Sequence, residues 1–236
     1  MRLVICARTR VPDFGEAEVT HFVSLIDPDE KDTLLQIPKK TLYRLQLVFH
    51  DLDDLEMTLP CYARYVAPTE AHVASLVEFG KKMASLDDWG LLTHCESGIS
   101  RSTAAAITLL VSAGYSPQVA FGLARKACPQ MLPNRRILRI ADGMLETGGK
   151  LQKMAEIYRR KAFQRAGYED PTNVLLAKAA VEKSRPGSLL ARLLRFLSRG
   201  GRPRVGTSGR ARGAGISGKH EISCPPPISR PGDQST

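Results

Sequence analysis

The five cysteines of this 236-residue chain, Cys6, Cys61, Cys95, Cys128 and Cys224, include no CxxC pair and no Cys/His group at zinc-ligand spacing. That excludes a disulfide framework and a zinc finger or ribbon as the organising principle. No run approaches the roughly 18 consecutive apolar residues that a membrane-spanning helix needs. The first residues, MRLVICARTRVPDF, lack the long apolar stretch and small-residue cleavage site of a secretory signal. There is no internal repeat. A soluble, cytoplasmic protein is the expectation, and no motif calls for a cofactor or a metal.

Acidic residues are scarce in one region only. Ten Lys/Arg against two Asp/Glu fall from Arg185 onward, so +8 of the formal +10 sits there and +2 remains for the rest. The basic balance therefore describes a tail, and no specific nucleic-acid partner is expected. The tail is rich in Gly, Pro, Ser and Arg and cannot bury enough apolar surface to offset its chain entropy, so residues 185–236 are expected to be disordered. Within it SLLARLLRFLSR, residues 188–199, is a short basic amphipathic segment that could make weak contact with an anionic membrane.

With 43% hydrophobic residues, the remainder can build a core. Apolar runs at 3–7, 19–26, 43–49 and 90–93 read as strands. Helical spacing predicts helices over about 68–85, 102–113, 117–127 and 134–145, with a charged helix at 150–166. Strands interleaved with helices imply an α/β domain over residues 1–148, a helical extension over 149–184, and a central mixed sheet flanked by helices.

The informative stretch is Leu91–Ser102, LLTHCESGISRS. An apolar strand ends on Cys95, and Arg101 opens the next helix. The five residues between them, Glu96, Ser97, Gly98, Ile99 and Ser100, form a loop whose N–H groups can converge on an anion at the helix N-terminus. Gly98 permits a backbone conformation that a side chain would obstruct. Arg101 can fork two donors onto two oxygens of a tetrahedral oxyanion. The same field favours a thiolate at the loop's origin, a nucleophile aimed at phosphorus.

HCESGISRS resembles the H-C-x-x-G-x-x-R-[S/T] signature of the cysteine-dependent protein tyrosine phosphatases, in particular the compact dual-specificity-like, prokaryotic-type branch. The resemblance implies attack by Cys95 to form a phosphocysteine, oxyanion binding by Arg101, stabilisation of the thiolate leaving group by Ser102, and support from His94. It also implies a general-acid aspartate on a loop after a strand. YRLQLVFHD puts Asp51 there, with Asp53 and Asp54 as competitors. Pro133-Asn134 is similar to a Pro-Asn pair that supports the phosphate loop. The implied substrate is a phosphorylated protein or peptide. The loop carries Glu96 and no basic residue before Arg101, which argues against inositol phospholipids and leaves phosphotyrosine or phosphoserine/phosphothreonine. The alternative is a phosphate-binding pseudophosphatase or adaptor, with Asp51 as the discriminating residue. Oligomeric state is not legible.

Overall fold

The structure is a computed structural model that describes residues 2–30, 37–58, 62–86 and 88–165. The tail, the 188–199 segment, Cys61, Cys224 and the extension beyond residue 165 lie outside the described residues. Among the described residues no helix is long and apolar enough to cross a membrane.

Four strands, β1 (Arg2–Ala7), β2 (His21–Ile26), β3 (Tyr43–Val48) and β4 (Gly90–Cys95), form one sheet in the order β1-β4-β2-β3. The α/β class stands. The sheet is parallel in every described pairing, which corrects the expected mixed sheet. Each strand is followed by a long connection and never by a hairpin, so the chain returns to the same end before starting the next strand. β2 and β4 lie inside the sheet, and all twelve of their residues are buried. Such strands read as continuous apolar runs without alternation.

The described residues also form five α-helices, α1 (Glu70–Ala84) before β4, then α2 (Arg101–Ser112), α3 (Pro117–Ala127), α4 (Arg135–Met144) and α5 (Lys150–Arg165). Their starts obey local chemistry. Thr69 and His72 close a capping box on α1. Ser116 caps α3 with Pro117 in its first turn, and Asn134 caps α4. All five contribute to one core on one face of the sheet, against Ile5, Val23, Leu25, Leu47 and Leu91. Each fully buried leucine there, such as Leu91 or Leu109, contributes about 2 kcal/mol. α5 joins this core through Leu151 and Ala155.

The opposite face is covered differently. A 3-10 segment, Arg8–Phe14, lays Val11 and Phe14 over Val4, Cys6, Phe22 and Leu92. Residue spacing did not signal this segment, because a 3-10 turn around Pro12 carries no 3.6-residue stripe.

Parallel strands place all their C-terminal ends on one edge. Arg8 follows β1, Asp27 follows β2, His50 and Asp51 come just after β3, and Cys95 ends β4. That edge is where open α/β sheets hold their ligands.

Candidate active site

Cys95 is the last residue of β4 and is 1% exposed; Arg101 is the first of α2 and is 3% exposed. The loop between them turns through Gly98, whose φ is +75°. Its carbonyls are tied to groups outside the loop. Arg8 N donates to Glu96 O at 3.2 Å, Leu132 N to Ile99 O at 2.9 Å, and Asn134 N to Ser100 O at 3.3 Å. The Cys128 thiol lies 3.6 Å from Gly98 O. The N–H groups of Ser97, Gly98, Ile99 and Ser100 donate to no backbone carbonyl among the described residues. A loop with most of its carbonyls held by the scaffold, and with amides that bond no backbone carbonyl, can offer those amides to an anion as a cradle.

Cys95 Sγ and Ser102 Oγ are 3.2 Å apart, within hydrogen-bond reach for sulfur. Thr93 Oγ1 donates to the Ser102 carbonyl at 3.1 Å and ties the start of α2 to β4. Arg101 Nη1 donates to Asp27 Oδ1 and to Phe49 O, both at 2.6 Å. Its Nε is buried and has no partner among the described residues. Burial works against the Arg101 cation, but Asp51, Cys95 and Asp27 outweigh it and raise its pKa further. A buried N–H without an acceptor is rare in a native fold and points to a missing acceptor.

The three candidate aspartates separate clearly. Asp51 Oδ1 accepts from Ser100 Oγ, inside the loop, at 2.7 Å and from Asn134 Nδ2 at 2.8 Å. Asp53 pairs with Arg135, and its Oδ1 accepts from the N–H groups of Leu55 and Glu56. Asp54 pairs with Arg136 and Arg139. The Arg139 hydrogen bond leads in holding its carboxyl below the usual range, against burial. A carboxylate locked to arginines cannot readily carry a proton to a substrate. Of the three, Asp51 alone among the described residues accepts a side-chain hydrogen bond from the loop.

Asn134 serves both partners. Its Oδ1 caps α4 by accepting from Ile137 N at 3.0 Å, while Nδ2 also donates to Leu52 O at 3.1 Å. Glu96 stands at the rim with its side chain 53% exposed, 3.8 Å from Arg8, which also pairs with Glu30 at 2.5 Å.

His94 is fully buried, with Nε2 2.9 Å from Ser24 Oγ and its ring against Phe22. Burial, assisted by Arg8, pushes its pKa down to about 4, so the imidazole is neutral at pH 7. Its support is therefore a neutral cross-strand link between β4 and β2. Because the unfolded chain binds this proton near pH 6.5 and the folded one does not, His94 favours the folded state fully above that pH. The contribution is lost as pH falls from about 6.5 towards 4, by about 3 kcal/mol. Urea unfolding at pH 7 and pH 4.5 should show that His94→Gln loses less stability on acidification than wild type. Equal losses would remove His94 from the acid response.

Cys6 and Cys128 are also buried. Burial first, then Cys95, pushes their thiols up to about 12 and about 11. Both stay protonated at neutral pH and are weak nucleophiles. Residue spacing missed Asp27, Ser24 and Arg8. Their signal was position: Asp27 and Arg8 each directly follow a strand.

No family model matches the chain, and no curated protein matches it. Solved structures do. Human DUSP28 is similar at 17% identity over 66% of this chain and 94% of its own, with a TM-score of 0.44. Tk-PTP in its active form is similar at 16% over 62% and 92%, TM-score 0.43. The human tyrosine phosphatase-like serine/threonine/tyrosine-interacting protein is similar at 18% over 65% and 87%, TM-score 0.40. At these identities the likeness is one of chain path alone.

Proposed function

We propose that the chain is a phosphomonoesterase acting on phosphorylated proteins through a phosphocysteine at Cys95. The observation that carries this reading is a buried thiol at the start of a loop with amides that bond no backbone carbonyl, beside an Arg101 Nε that is buried without a partner among the described residues. Such donors and a guanidinium suit the charge of a phosphoryl dianion. The loop amides and Arg101 stabilise the equatorial oxygens as charge redistributes in the transition state.

The reaction then has two displacements. The Cys95 thiolate attacks phosphorus as the bond to the leaving oxygen breaks, and Asp51 gives that oxygen its proton. Water next attacks phosphorus and gives a proton to Asp51, while the P–S bond breaks and Ser102 donates to the departing sulfur. Inorganic phosphate is released and the thiolate is restored.

The loop contributes no basic side chain before Arg101, and Glu96 stands half-exposed at the rim beside Arg8. That supports a phosphorylated tyrosine, or serine/threonine, over a substrate with several phosphates. Asp51 on the loop supports turnover over a binding-only adaptor.

Asp51→Ala should lower kcat for phenyl phosphate about 10²–10³-fold, the usual contribution of a positioned acid. The fall in rate that rising pH produces by deprotonating an acid should disappear in the variant. Steady-state rates of full-length wild type and variant from pH 5 to 9, with a chelator present, check both. An unchanged profile would transfer the acid role elsewhere.

A further inference from the structure

The aspartates that lost the competition for acid still need an account. Asp51 to Asp54 follow β3 as a short irregular run, yet all three of its carboxylates and the Leu52 carbonyl are held by the start of α4, more than 80 residues away in sequence. Asn134 Nδ2 holds Asp51 Oδ1 and the Leu52 carbonyl. Arg135 holds Asp53, with Nε 3.2 Å from Oδ2, and reaches across to Glu156 of α5 at 3.1 Å. Arg139 forks onto Asp54, Nε to Oδ2 at 2.6 Å and Nη2 to Oδ1 at 3.0 Å. Arg136 pairs with the same carboxylate and donates to Pro68 O at 2.7 Å, just before α1.

The pairs are not mere surface decoration. Asp53 is 7% exposed and the Arg135 side chain 19%, so this pair is largely withdrawn from solvent. The Arg139 fork is bidentate, the geometry that fixes orientation as well as distance. Arg136 and Arg139 both converge on Asp54 from one helix face, three residues apart.

We propose that Asp53 and Asp54, with Arg135, Arg136 and Arg139, are positioning residues that clamp the acid loop to α4 and set Asp51 over the phosphate loop. The inference rests on the phosphatase reading. Asn134 is the common pivot, since the same residue bonds the phosphate loop through Ser100 O and the acid through Asp51. The acid and the nucleophile's loop are thereby referred to one rigid frame, the α4 N-terminus. Proton transfer is steep in distance, so a loosened clamp penalises the step that needs the acid and spares the step that needs only Cys95 and Arg101.

Leaving-group chemistry separates these two steps. A nitrophenolate departs without a proton, whereas a phenol needs one. The experiment compares full-length wild type, Asp54→Asn, Arg139→Gln, Asp54→Glu and Cys95→Ser on phenyl phosphate and on dinitrophenyl phosphate, with vanadate inhibition as a check on the intact cradle. Asp54 and Arg139 are each close to half exposed, so their substitution leaves the core untouched. The expected result is a fall of about tenfold in kcat on phenyl phosphate for Asp54→Asn and Arg139→Gln. The kcat/KM for dinitrophenyl phosphate, which reports the first displacement alone and so does not register Asp51 as base, and the vanadate affinity both stay within twofold. The alkaline limb of the phenyl phosphate profile flattens, and Asp54→Glu recovers most of the loss.

Equal losses on both substrates, or no loss on either, would overturn the clamp while leaving Cys95-dependent turnover intact. Turnover in wild type that survives Cys95→Ser would overturn the phosphatase reading itself, and the clamp with it.

Discussion

Cys95→Ser is expected to lower turnover of any phosphomonoester by roughly 10⁴-fold or more, the scale on which loss of a nucleophile operates. Serine is close to isosteric here, and residue 95 is 1% exposed. The fold and the cradle should therefore survive, and vanadate or phosphate should still bind. The loss is chemical in origin. A serine hydroxyl ionises far less readily than a thiol, and its hydrogen-bond neighbour at this position is another hydroxyl, Ser102. Thermal unfolding within a few degrees of wild type, with turnover abolished, is the combined result that supports a nucleophile. Loss of both stability and turnover would instead indicate a structural cysteine.

Gly98→Ala should be the most damaging single methyl in the loop. At φ +75° an L-residue already costs about 1 kcal/mol. The added Cβ would stand 2.3 Å from Ala7 N, 2.4 Å from Cys6 C and 2.7 Å from Cys6 O, all backbone atoms of β1. No side-chain rotation relieves such a contact. The loop must lift from the end of β1, breaking the Arg8 N to Glu96 O bond that closes the cradle on that side. A destabilisation of roughly 3 kcal/mol or more is expected, with turnover down about 100-fold from displaced donors. Gly122→Ala in α3 is the control, because its Cβ meets nothing within 4 Å. It should be neutral or slightly stabilising. Urea midpoints and initial rates for the two variants settle the comparison, and a neutral Gly98→Ala would mean that the loop does not need its close approach to β1.

The part of this site legible in the sequence is the part that is contiguous. Cys95, Gly98, Arg101 and Ser102 lie within eight residues, and their order alone encodes strand, turn and helix start. Helices such as α3 were legible because Ser116-Pro117 marks the start and a 3.6-residue pattern follows. The sheet was misread as mixed because pairing direction depends on what connects the strands, which no single strand's composition reveals. Nothing local singles out Asp27, since its partner Arg101 is 74 residues away. The choice among Asp51, Asp53 and Asp54 was equally closed to the sequence. Three neighbouring carboxylates differ only in which way they face, and that is decided by arginines on α4.

In the proposed reaction phosphorus becomes bonded to Cys95 Sγ. That step is tested most directly by acid-quenching full-length Asp51→Ala during turnover of dinitrophenyl phosphate and mapping the phosphoryl group by peptide mass spectrometry. The good leaving group lets the first displacement proceed, and the missing base slows the second, so the intermediate accumulates. The account predicts a phosphoryl adduct on the peptide containing Cys95, absent in Asp51→Ala/Cys95→Ser. Steady turnover with no adduct on Cys95, or an adduct on a different residue, would contradict it.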